Sequence, residues 1–409
     1  MNGKWAAVVV ILVFVAVALV CCGSASGAKG LVETINQTFG EYHKSASANA
    51  VQQTTDGGFI IAGDSNCGLN LLKTDSKGTK LWNRSLPYKA EAVQQTTDGG
   101  YIIAGTMSIW GGSNYFYYAG LLKTDSNGTE LWNRTFGSGS QAEVRAVQQT
   151  TDGGFIIAGS KVMPGTAWDI WLIKTDSNGT ELWNTTAFML TTSDDYAYAV
   201  QQTTDGGYIV AGVFRYPLGL TRNDTEVCLV AFDSNGTIEF ADGIDHAYYG
   251  NDGASAVQQT TDGGYIIAGY TDTGGAGGTD IWLLKTKNES GFFLKEWDVI
   301  FGGAGYDRST AVELTTDGGF ILAGYTDSFG AGDDDVYLIK TNSTGKKQWE
   351  MLFGGSRLER AAAVQQTTDG GYIVAGYTQS YGPGHYTSSI WLLKVKELEL
   401  LCGDVNGDG

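Results

Sequence analysis

The sequence predicts an all-β fold, a seven-bladed β-propeller made of four-stranded antiparallel blades. A motif close to AVQQTTDGG recurs seven times at intervals of 42 to 57 residues, and such periods are typical of propellers and other repeat folds. Each copy holds short apolar runs separated by tight-turn signals, and no stretch shows a helical period. The motif aspartates are Asp56, Asp98, Asp152, Asp205, Asp262, Asp317 and Asp369.

Each copy divides into four strands. The fifth copy reads ASAVQQT, a TDGG turn, YIIAGYT, a Gly-rich connection and DIWLLKT, and the third copy continues through DSNG into TELWNTT. Asp-Gly and Asn-Gly accept the positive φ angles of tight hairpins, so these turns close two hairpins per copy. One blade cannot bury both of its faces, and a ring of blades solves this problem.

The N-terminal strand is predicted to close the ring. The seventh copy has no fourth strand, whereas Glu33–Gly40 (ETINQTFG) matches Glu130–Gly137 (ELWNRTFG), with Ile35 in the place of the tryptophan. This strand would complete the seventh blade and leave no exposed inner edge. The propeller is therefore expected to span residues 29–400.

Large aromatic residues recur in the fourth strand of the copies. We expect them to pack between blades, since large aromatics dominate core burial. They are Trp82, Trp132, Trp183, Trp297 and Trp349, with Phe240 in the fourth copy.

The repeat, DIWLLKTDSNGTELWNxTFGG followed by AVQQTTDGGYIIAGYT, resembles the extracellular β-propeller repeats of bacterial and archaeal surface proteins, often called SBBP-type or uncharacterised propeller repeats. The style of the repeat is archaeal-looking. The resemblance implies the propeller fold and an exported, cell-surface or secreted protein. It implies no reaction, because that family has no shared catalytic residues to carry over.

Residues 1–28 are predicted to be a cleaved export signal. Lys4 precedes the apolar run Ala6–Val20, and Ser26-Gly27-Ala28 resembles a signal-peptidase site. A retained membrane anchor is the alternative, although the run is short for a span of roughly 20 residues. A lipoprotein signal at Cys21 or Cys22 fits less well. The mature protein is expected to be secreted or on the cell surface and not to span a membrane.

Charge and cysteines exclude other classes. The net charge of −18 argues against a nucleic-acid partner, which needs clustered Lys and Arg. Beyond the signal only Cys67, Cys228 and Cys402 remain, so no disulfide framework is predicted.

The connection Thr106–Gly120 in the second copy is long and aromatic. Variable loops on a rigid scaffold are common binding sites, and we expect a contact surface for carbohydrate or protein here. The alternative is that these side chains cover the rim of the ring and pack on one another. The candidate ligand-binding residues are Trp110, Tyr115, Phe116, Tyr117 and Tyr118.

Material for catalysis is sparse. His43, His246 and His385 come from separate connections, and the repeated motif aspartates are interpreted as turn formers. The expectation is therefore that the chain is not an enzyme but a binding or interaction scaffold. The alternative is an extracellular propeller enzyme, either polysaccharide-active or quinoprotein-like, because KTDSNGTELW resembles the tryptophan-docking repeat of quinoprotein dehydrogenases.

Two further patterns bear on the surface. Ten N-x-S/T sequons could carry glycans in an exported protein, although several are by-products of the repeat. The Asp-rich loops Thr271–Asp280 and Gly330–Tyr337 are cation candidates, but we expect solvated loops. The sequon asparagines are Asn36, Asn83, Asn127, Asn133, Asn178, Asn184, Asn223, Asn235, Asn288 and Asn342.

Residues 401–409 (LCGDVNGDG) predict the start of an EF-hand-like calcium loop. Asp404, Asn406 and Asp408 occupy positions one, three and five, and Gly409 occupies position six. The segment resembles the first half of a dockerin repeat, which implies calcium and a cohesin-type protein partner. Because the ligands of positions seven and twelve are missing, calcium binding is expected only in a complete module, and a truncation is the interpretation.

Overall fold

The computed structural model describes residues 29–399 except for 67, 69, 111, 113–114, 138–140, 164–166, 189–192, 216–223, 248–249, 290 and 384–386. The predicted signal (1–28) and calcium loop (401–409) lie outside the described residues. The described part contains 28 β-strands, and it holds no helix long and apolar enough to cross a membrane.

The strands, in chain order, are β1 (Lys29–Phe39), β2 (Ala46–Gln53), β3 (Phe59–Ser65), β4 (Leu71–Thr74), β5 (Lys80–Arg84), β6 (Lys89–Gln95), β7 (Tyr101–Trp110), β8 (Tyr115–Thr124), β9 (Glu130–Phe136), β10 (Ala142–Gln149), β11 (Phe155–Val162), β12 (Trp168–Thr175), β13 (Glu181–Ala187), β14 (Asp195–Gln202), β15 (Tyr208–Arg215), β16 (Thr225–Phe232), β17 (Ile238–Ile244), β18 (Asp252–Gln259), β19 (Tyr265–Thr271), β20 (Asp280–Glu289), β21 (Phe292–Phe301), β22 (Asp307–Leu314), β23 (Phe320–Thr326), β24 (Asp335–Thr341), β25 (Lys347–Phe353), β26 (Glu359–Gln366), β27 (Tyr372–Thr378) and β28 (Ser389–Glu399).

The strands form seven four-stranded antiparallel sheets, which confirms the predicted seven-bladed propeller. Blades 1 to 6 are β2–β5, β6–β9, β10–β13, β14–β17, β18–β21 and β22–β25. Blade 7 has the order β26-β27-β28-β1, so the N-terminal strand closes the ring as predicted. The first strand of each blade contacts the first strands of both neighbours and so lines the central channel.

The chain divides into two compact units. Residues 33–396 form the propeller. The second unit comprises residues 1–32 and 397–409, of which only 29–32 and 397–399 are described, as the ends of β1 and β28.

The hydrophobic core lies between blades. Among the described residues, seven clusters of buried apolar side chains each combine residues of two adjacent blades. This arrangement explains why the second and third strands are apolar on both faces, as in Phe59–Ala62, whose side chains are almost completely buried.

The closing strand reproduces the contacts of an ordinary fourth strand. Trp391 in β28 donates from Nε1 to Asn36 Oδ1 of β1 at 2.8 Å. Within blade 3 the equivalent bond runs from Trp171 Nε1 to Asn184 Oδ1 at 3.1 Å. Ile35 is 5% exposed and belongs to the cluster between blades 7 and 1, so it does replace the tryptophan.

The fourth-strand tryptophans pack against the next blade, as predicted. In each case the indole meets the aromatic residue that begins the second strand of that blade, with ring centroids 5.6 to 6.1 Å apart. The pairs are Trp82–Tyr101, Trp132–Phe155, Trp183–Tyr208, Trp297–Phe320 and Trp349–Tyr372.

Four of these indoles, those of Trp82, Trp132, Trp183 and Trp297, cover a turn glycine of the next blade. Gly179 in the DSNG turn of blade 3 has φ 76°, and a Cβ there would lie 2.6 Å from Trp132 Cζ3. Glycine is therefore required twice over, for the left-handed backbone and for the approach of the indole.

A ring of hydrogen bonds joins all seven inner strands. In each blade the side chain of the first residue of the QQ pair accepts a hydrogen bond from the next blade. The donor is the backbone N–H of the second residue of that blade's QQ pair. Six of these bonds measure 2.5 to 2.6 Å, as in Gln149 N to Gln94 Oε1 and Gln53 N to Gln365 Oε1. In blade 6 Glu313 replaces the glutamine and accepts from Gln366 N.

A second set of bonds runs in the opposite direction. The amide of the second motif threonine donates to the second Gln of the next blade at 2.8 to 2.9 Å, for example from Thr97 N to Gln149 Oε1. Blade 6 again departs from the repeat, since Leu314 occupies the second Gln position. The repeated QQ pair thus ties each blade to both neighbours.

Glu313 makes this ring sensitive to pH. Burial raises the pKa of Glu313 to about 7, although the Gln366 amide favours the charged form. Because its pKa is raised in the folded state, Glu313 stabilises the fold most below its unfolded pKa near 4.5, and this contribution is lost as pH rises through about 7.

Gly179→Ala should destabilise the propeller by about 3 kcal/mol, through the left-handed backbone and the clash with Trp132. Gly153→Ala is the matched control, because Gly153 has φ 84° with nothing within 4 Å of a built Cβ. The control should cost only about 1–2 kcal/mol. Urea unfolding measures both, and equal losses would contradict the packing role of Trp132.

Glu313→Gln restores the repeat and removes the buried carboxyl. The variant should melt about 2–5 °C higher than wild type at pH 8–9, and the difference should vanish near pH 5. Thermal unfolding across this pH range tests it, with the exposed Glu239→Gln as control. A difference that does not depend on pH would contradict the ionisation of Glu313 as the cause.

Candidate functional site

The two faces of the propeller differ in sequence. The TTDGG turns of all seven blades lie on one face, the turn face, together with the turns that join the third and fourth strands of blades 1 to 6, such as DSNG in blade 3. The connections between second and third strands, and those between blades, lie on the opposite, variable face. Since the turn face repeats seven times, a site specific to this chain is expected on the variable face or in the channel.

The most prominent feature of the variable face is the hairpin of β7 and β8, residues 107–118. Their pairing continues out to Trp110 opposite Tyr115. The flanking strands stop earlier, because β6 pairs only as far as Thr106 and β9 only from Ala119. The hairpin therefore projects beyond its own blade.

All five predicted ligand-binding residues lie on this hairpin. Trp110, Tyr115, Phe116 and Tyr117 are exposed, and Tyr118 is half-buried. Trp110 is 57% exposed although its ring lies 4.9 Å from that of Tyr115. The aromatic side chains thus touch one another and still present a large apolar surface to solvent. No contact with a ligand tests their predicted role, which stays a prediction.

A polar cluster lies on the inner strands of blades 1 to 4, at the central channel. Every inner strand has a β-bulge at the same place, and the extra residue is polar in blades 1 to 6. Asn49 Nδ2 donates to Glu91 Oε2 at 3.1 Å, and the Arg145 guanidinium lies 5.4 Å from the Tyr198 ring. Burial opposes the charge of Arg145, but Glu143 and Glu91 outweigh it and raise the Arg145 pKa.

The sequence did not predict this polar cluster. A bulge cannot be located from an alternating pattern alone, and the residues occur once each rather than in every copy. The seven bulge residues are Asn49, Glu91, Arg145, Tyr198, Ser255, Thr310 and Ala362.

The histidines do not converge where they are described. His43 is exposed, and His385 lies outside the described residues. His246 Nδ1 lies 3.1 Å from Thr273 Oγ1, and Nε2 lies 3.6 Å from Asp298 Oδ2. Within the described ranges no group of three or more His, Cys, Asp or Glu side chains is placed to share a metal ion.

The motif aspartates serve the turns, as interpreted, and also hold buried lysines. Asp152 Oδ1 accepts from Thr150 Oγ1 at 2.5 Å and from Gly154 N at 2.9 Å. Lys174, from the third strand of the same blade, is buried and reaches Asp152 Oδ2 at 2.8 Å. Burial opposes the charge of Asp152, but Lys174 and Thr150 outweigh it and lower the pKa to about 2.

Six blades repeat this ion pair and blade 4 does not. The third strand of blade 4 carries Ala231 in the lysine position, so Asp205 keeps only the turn contacts of the motif. The six pairs are Lys73–Asp56, Lys123–Asp98, Lys174–Asp152, Lys285–Asp262, Lys340–Asp317 and Lys394–Asp369.

The Asp-rich loops are solvent-exposed over residues 274–277 and 330–333, as expected, but the aspartates that end them are not. Asp280 and Asp335, which begin β20 and β24, are each only 1% exposed. The expectation was wrong for these two residues, because their carboxylates turn inward and accept backbone amides of their own Gly-rich loops, as in Ala331 N to Asp335 Oδ2 at 2.7 Å.

The cysteines and the predicted calcium-loop residues do not contribute to a described site. Cys228 is a buried free thiol whose pKa is raised by burial. Cys67 and the calcium-loop residues Asp404, Asn406 and Asp408 lie outside the described residues.

Solved structures share the fold at low sequence identity. A Lactobacillus plantarum protein has a TM-score of 0.51 at 11% identity, covering 77% of this chain and 86% of its own. A Bacteroides uniformis protein named "putative 6-phosphogluconolactonase" has a TM-score of 0.48 at 10% identity, covering 82% and 92%. A Thermus thermophilus protein named "putative oxidoreductase (glucose dehydrogenase)" has a TM-score of 0.43 at 12% identity, covering 77% and 100%. No protein-family model and no curated protein matches the chain.

These structures correct one expectation. The expectation that the chain is not an enzyme was wrong, because the structures that share this fold include proteins with enzyme names, so fold and composition do not exclude an enzymatic activity. At these identities the likeness shows the fold alone. The resemblances to SBBP-type repeats and to a dockerin stay predictions.

Asp152→Asn should destabilise the protein more than Asp205→Asn. Both variants keep a turn acceptor, but only Asp152→Asn leaves a buried lysine without its carboxylate. Because Asp152 is more than half exposed, we expect an excess loss of about 1–3 kcal/mol rather than the larger cost of a fully buried pair. Urea unfolding at pH 7 measures both, and losses of equal size would show that Lys174 contributes nothing.

Proposed function

We propose that this chain is a secreted or cell-surface propeller that binds a protein partner through the hairpin of residues 107–118. The observation that carries the proposal is the exposure of Trp110, Tyr115, Phe116 and Tyr117 on two paired strands that project beyond the blade. Aromatic residues, Tyr and Trp above all, are enriched in protein interfaces and dominate their binding energy.

The form of the hairpin favours a protein over a carbohydrate. Residues alternate across a hairpin, so Trp110 and Tyr115 share one side while Ile109 and Phe116 share the other. Both sides are exposed. A sugar stacked on one aromatic platform would use one side, whereas a concave protein surface can enclose both, as surfaces that receive long antibody loops do.

The two ends of the sequence support the proposed setting. Residues 1–28 have the pattern of an export signal, and 401–409 have the pattern of an opening calcium loop with Asp404, Asn406 and Asp408 as ligands. In a complete calcium module of dockerin type, this segment would attach the propeller to a cohesin-type receptor.

The test compares Trp110→Ala and Tyr115→Ala with Leu131→Ala. Leu131 lies on β9 of the same blade and is 58% exposed, which matches the 57% of Trp110. Tagged propellers are incubated with the exported and cell-surface proteins of the organism that encodes the chain, and retained proteins are quantified by mass spectrometry. A protein retained by wild type is then purified and its affinity measured by calorimetry.

Each hairpin variant should weaken binding by about 10- to 30-fold, as expected for a hot-spot aromatic residue, and Leu131→Ala should bind like wild type. Binding that tolerates both hairpin substitutions would overturn the proposed surface. A glycan array read with the same proteins covers the other ligand class. Glycan binding lost in Trp110→Ala, with no protein retained, would show that the partner is a carbohydrate.

A further inference from the structure

Two buried carboxylates meet at the interface of blades 5 and 6, on the variable face. Asp280 begins the third strand of blade 5, and Asp307 begins the inner strand of blade 6. Asp280 is 1% exposed and Asp307 is completely buried. Buried carboxylates without a cationic partner are costly, so this pair needs a physical explanation.

One oxygen of Asp307 is held by neighbouring donors. Asp307 Oδ2 accepts from Gly303 N at 2.9 Å and from Ser328 Oγ at 2.6 Å. Asp280 also accepts the amides of Ala276 and Gly277 in its own loop. These bonds fix the orientation of both carboxylates.

The other oxygen of each carboxylate has no donor. Asp280 Oδ1 and Asp307 Oδ1 are buried and make no hydrogen bond. The two carboxylates lie close together, since a Cβ built on Gly302 would lie 2.0 Å from the orphaned Asp280 Oδ1 and 2.7 Å from Asp307 Oδ2, the oxygen that Gly303 and Ser328 hold. Burial, and next the charge of Asp307, raise the pKa of Asp280.

The need to anchor the Gly-rich loops does not explain why Asp280 and Asp307 lie together at this interface. At the interface of blades 7 and 1 the equivalent positions hold Ser389 and Ala46, and the loop still closes, with Gly40 and Gly382 against Ser389. At the interface of blades 6 and 7 Glu359 is satisfied on both oxygens, for example by Ser380 N to Oε1 at 2.8 Å and Gly355 N to Oε2 at 2.7 Å. Asp335, which occupies the position of Asp280 in blade 6, also has a buried Oδ1 without a hydrogen bond. The interface of blades 5 and 6 differs from that of blades 6 and 7 because both of its carboxylates have such an oxygen.

We propose that Asp280 and Asp307 bind a Ca²⁺ ion between blades 5 and 6. Calcium takes carboxylate, carbonyl and water oxygens in flexible geometry, which suits two carboxylates beside Gly-rich loops. Zinc would call for nitrogen or sulfur ligands. Only two carboxylates reach this point, so backbone carbonyls or water complete the coordination. The ion would neutralise the pair and join the two blades.

The experiment uses the full chain carrying Asp404→Ala and Asp408→Ala, so that residues 401–409 add no calcium response. Thermal unfolding is recorded in EGTA and in millimolar CaCl₂ or MgCl₂, and calorimetry with CaCl₂ alone gives the stoichiometry. We expect calcium to raise Tm by about 2–5 °C, more than magnesium does, and to bind with one ion per chain at this site.

Asp280→Asn and Asp307→Asn should each abolish this rise, while both should unfold in EGTA at or above the parent Tm because charge repulsion is relieved. Asp333→Asn removes an exposed carboxylate of a neighbouring loop and should keep the full response. The proposal is wrong if calcium leaves the parent unchanged or if both asparagine variants retain the rise. Should Asp307→Asn fail to fold, Asp280→Asn and the stoichiometry of the parent decide.

Discussion

The hydrogen-bond ring of the inner strands is the constraint on which the rest of the propeller depends. Adjacent blades are separate sheets, so the inner strand of each blade is a sheet edge whose amide groups have no ladder partner across the interface. The first Gln of each QQ pair supplies the missing acceptor to the next blade, for example from Gln94 to the amide of Gln149. Seven such bonds fix the spacing of the blades, and that spacing in turn brings four of the fourth-strand indoles onto the turn glycine of the neighbouring blade.

Because the turn face is fixed in this way, differences in sequence between blades are concentrated on the variable face. On the turn face each motif aspartate makes the same contacts, and even the loss of a lysine in blade 4 leaves the turn of Asp205 in place. The variable face differs from blade to blade. The projecting hairpin and the charged bulge residues Glu91 and Arg145 belong to blades 2 and 3, whereas the orphaned carboxylates belong to blades 5 and 6. The ring is thus nearly symmetric in backbone and asymmetric in chemistry.

The sequence predicted what the repeat encodes locally. Seven turn motifs predicted the seven blades, and the match of Glu33–Gly40 to a fourth strand predicted that the N-terminal strand closes the ring. The role of the QQ pair could not be predicted, because, apart from the ring closure, the first Gln of each pair bonds a backbone amide of the next blade that lies 43 to 58 residues away along the chain. The sequence predicts a connection over Thr106–Gly120, whereas β7 extends to Trp110 and β8 begins at Tyr115, because the aromatic residues there break the alternation that marks a half-buried strand. Asp280 and Asp307 gave no signal either, because an acidic residue beside glycines is usually solvated.

The distribution of charge explains why the variable face differs chemically from the turn face. Each of the six buried lysines reaches a motif aspartate, so buried charge near the turn face is balanced within a blade. No lysine or arginine forms an ion pair with Asp280 or Asp307 in the described part of the chain, where Arg308 instead stacks on Tyr270 at 4.0 Å. The buried acidic charge at this interface is therefore balanced neither within a blade nor between blades. A cation from solvent is the simplest counter-charge. It would join blades 5 and 6 at the variable face, whereas the Gln hydrogen bonds join the blades at the opposite end of the inner strands.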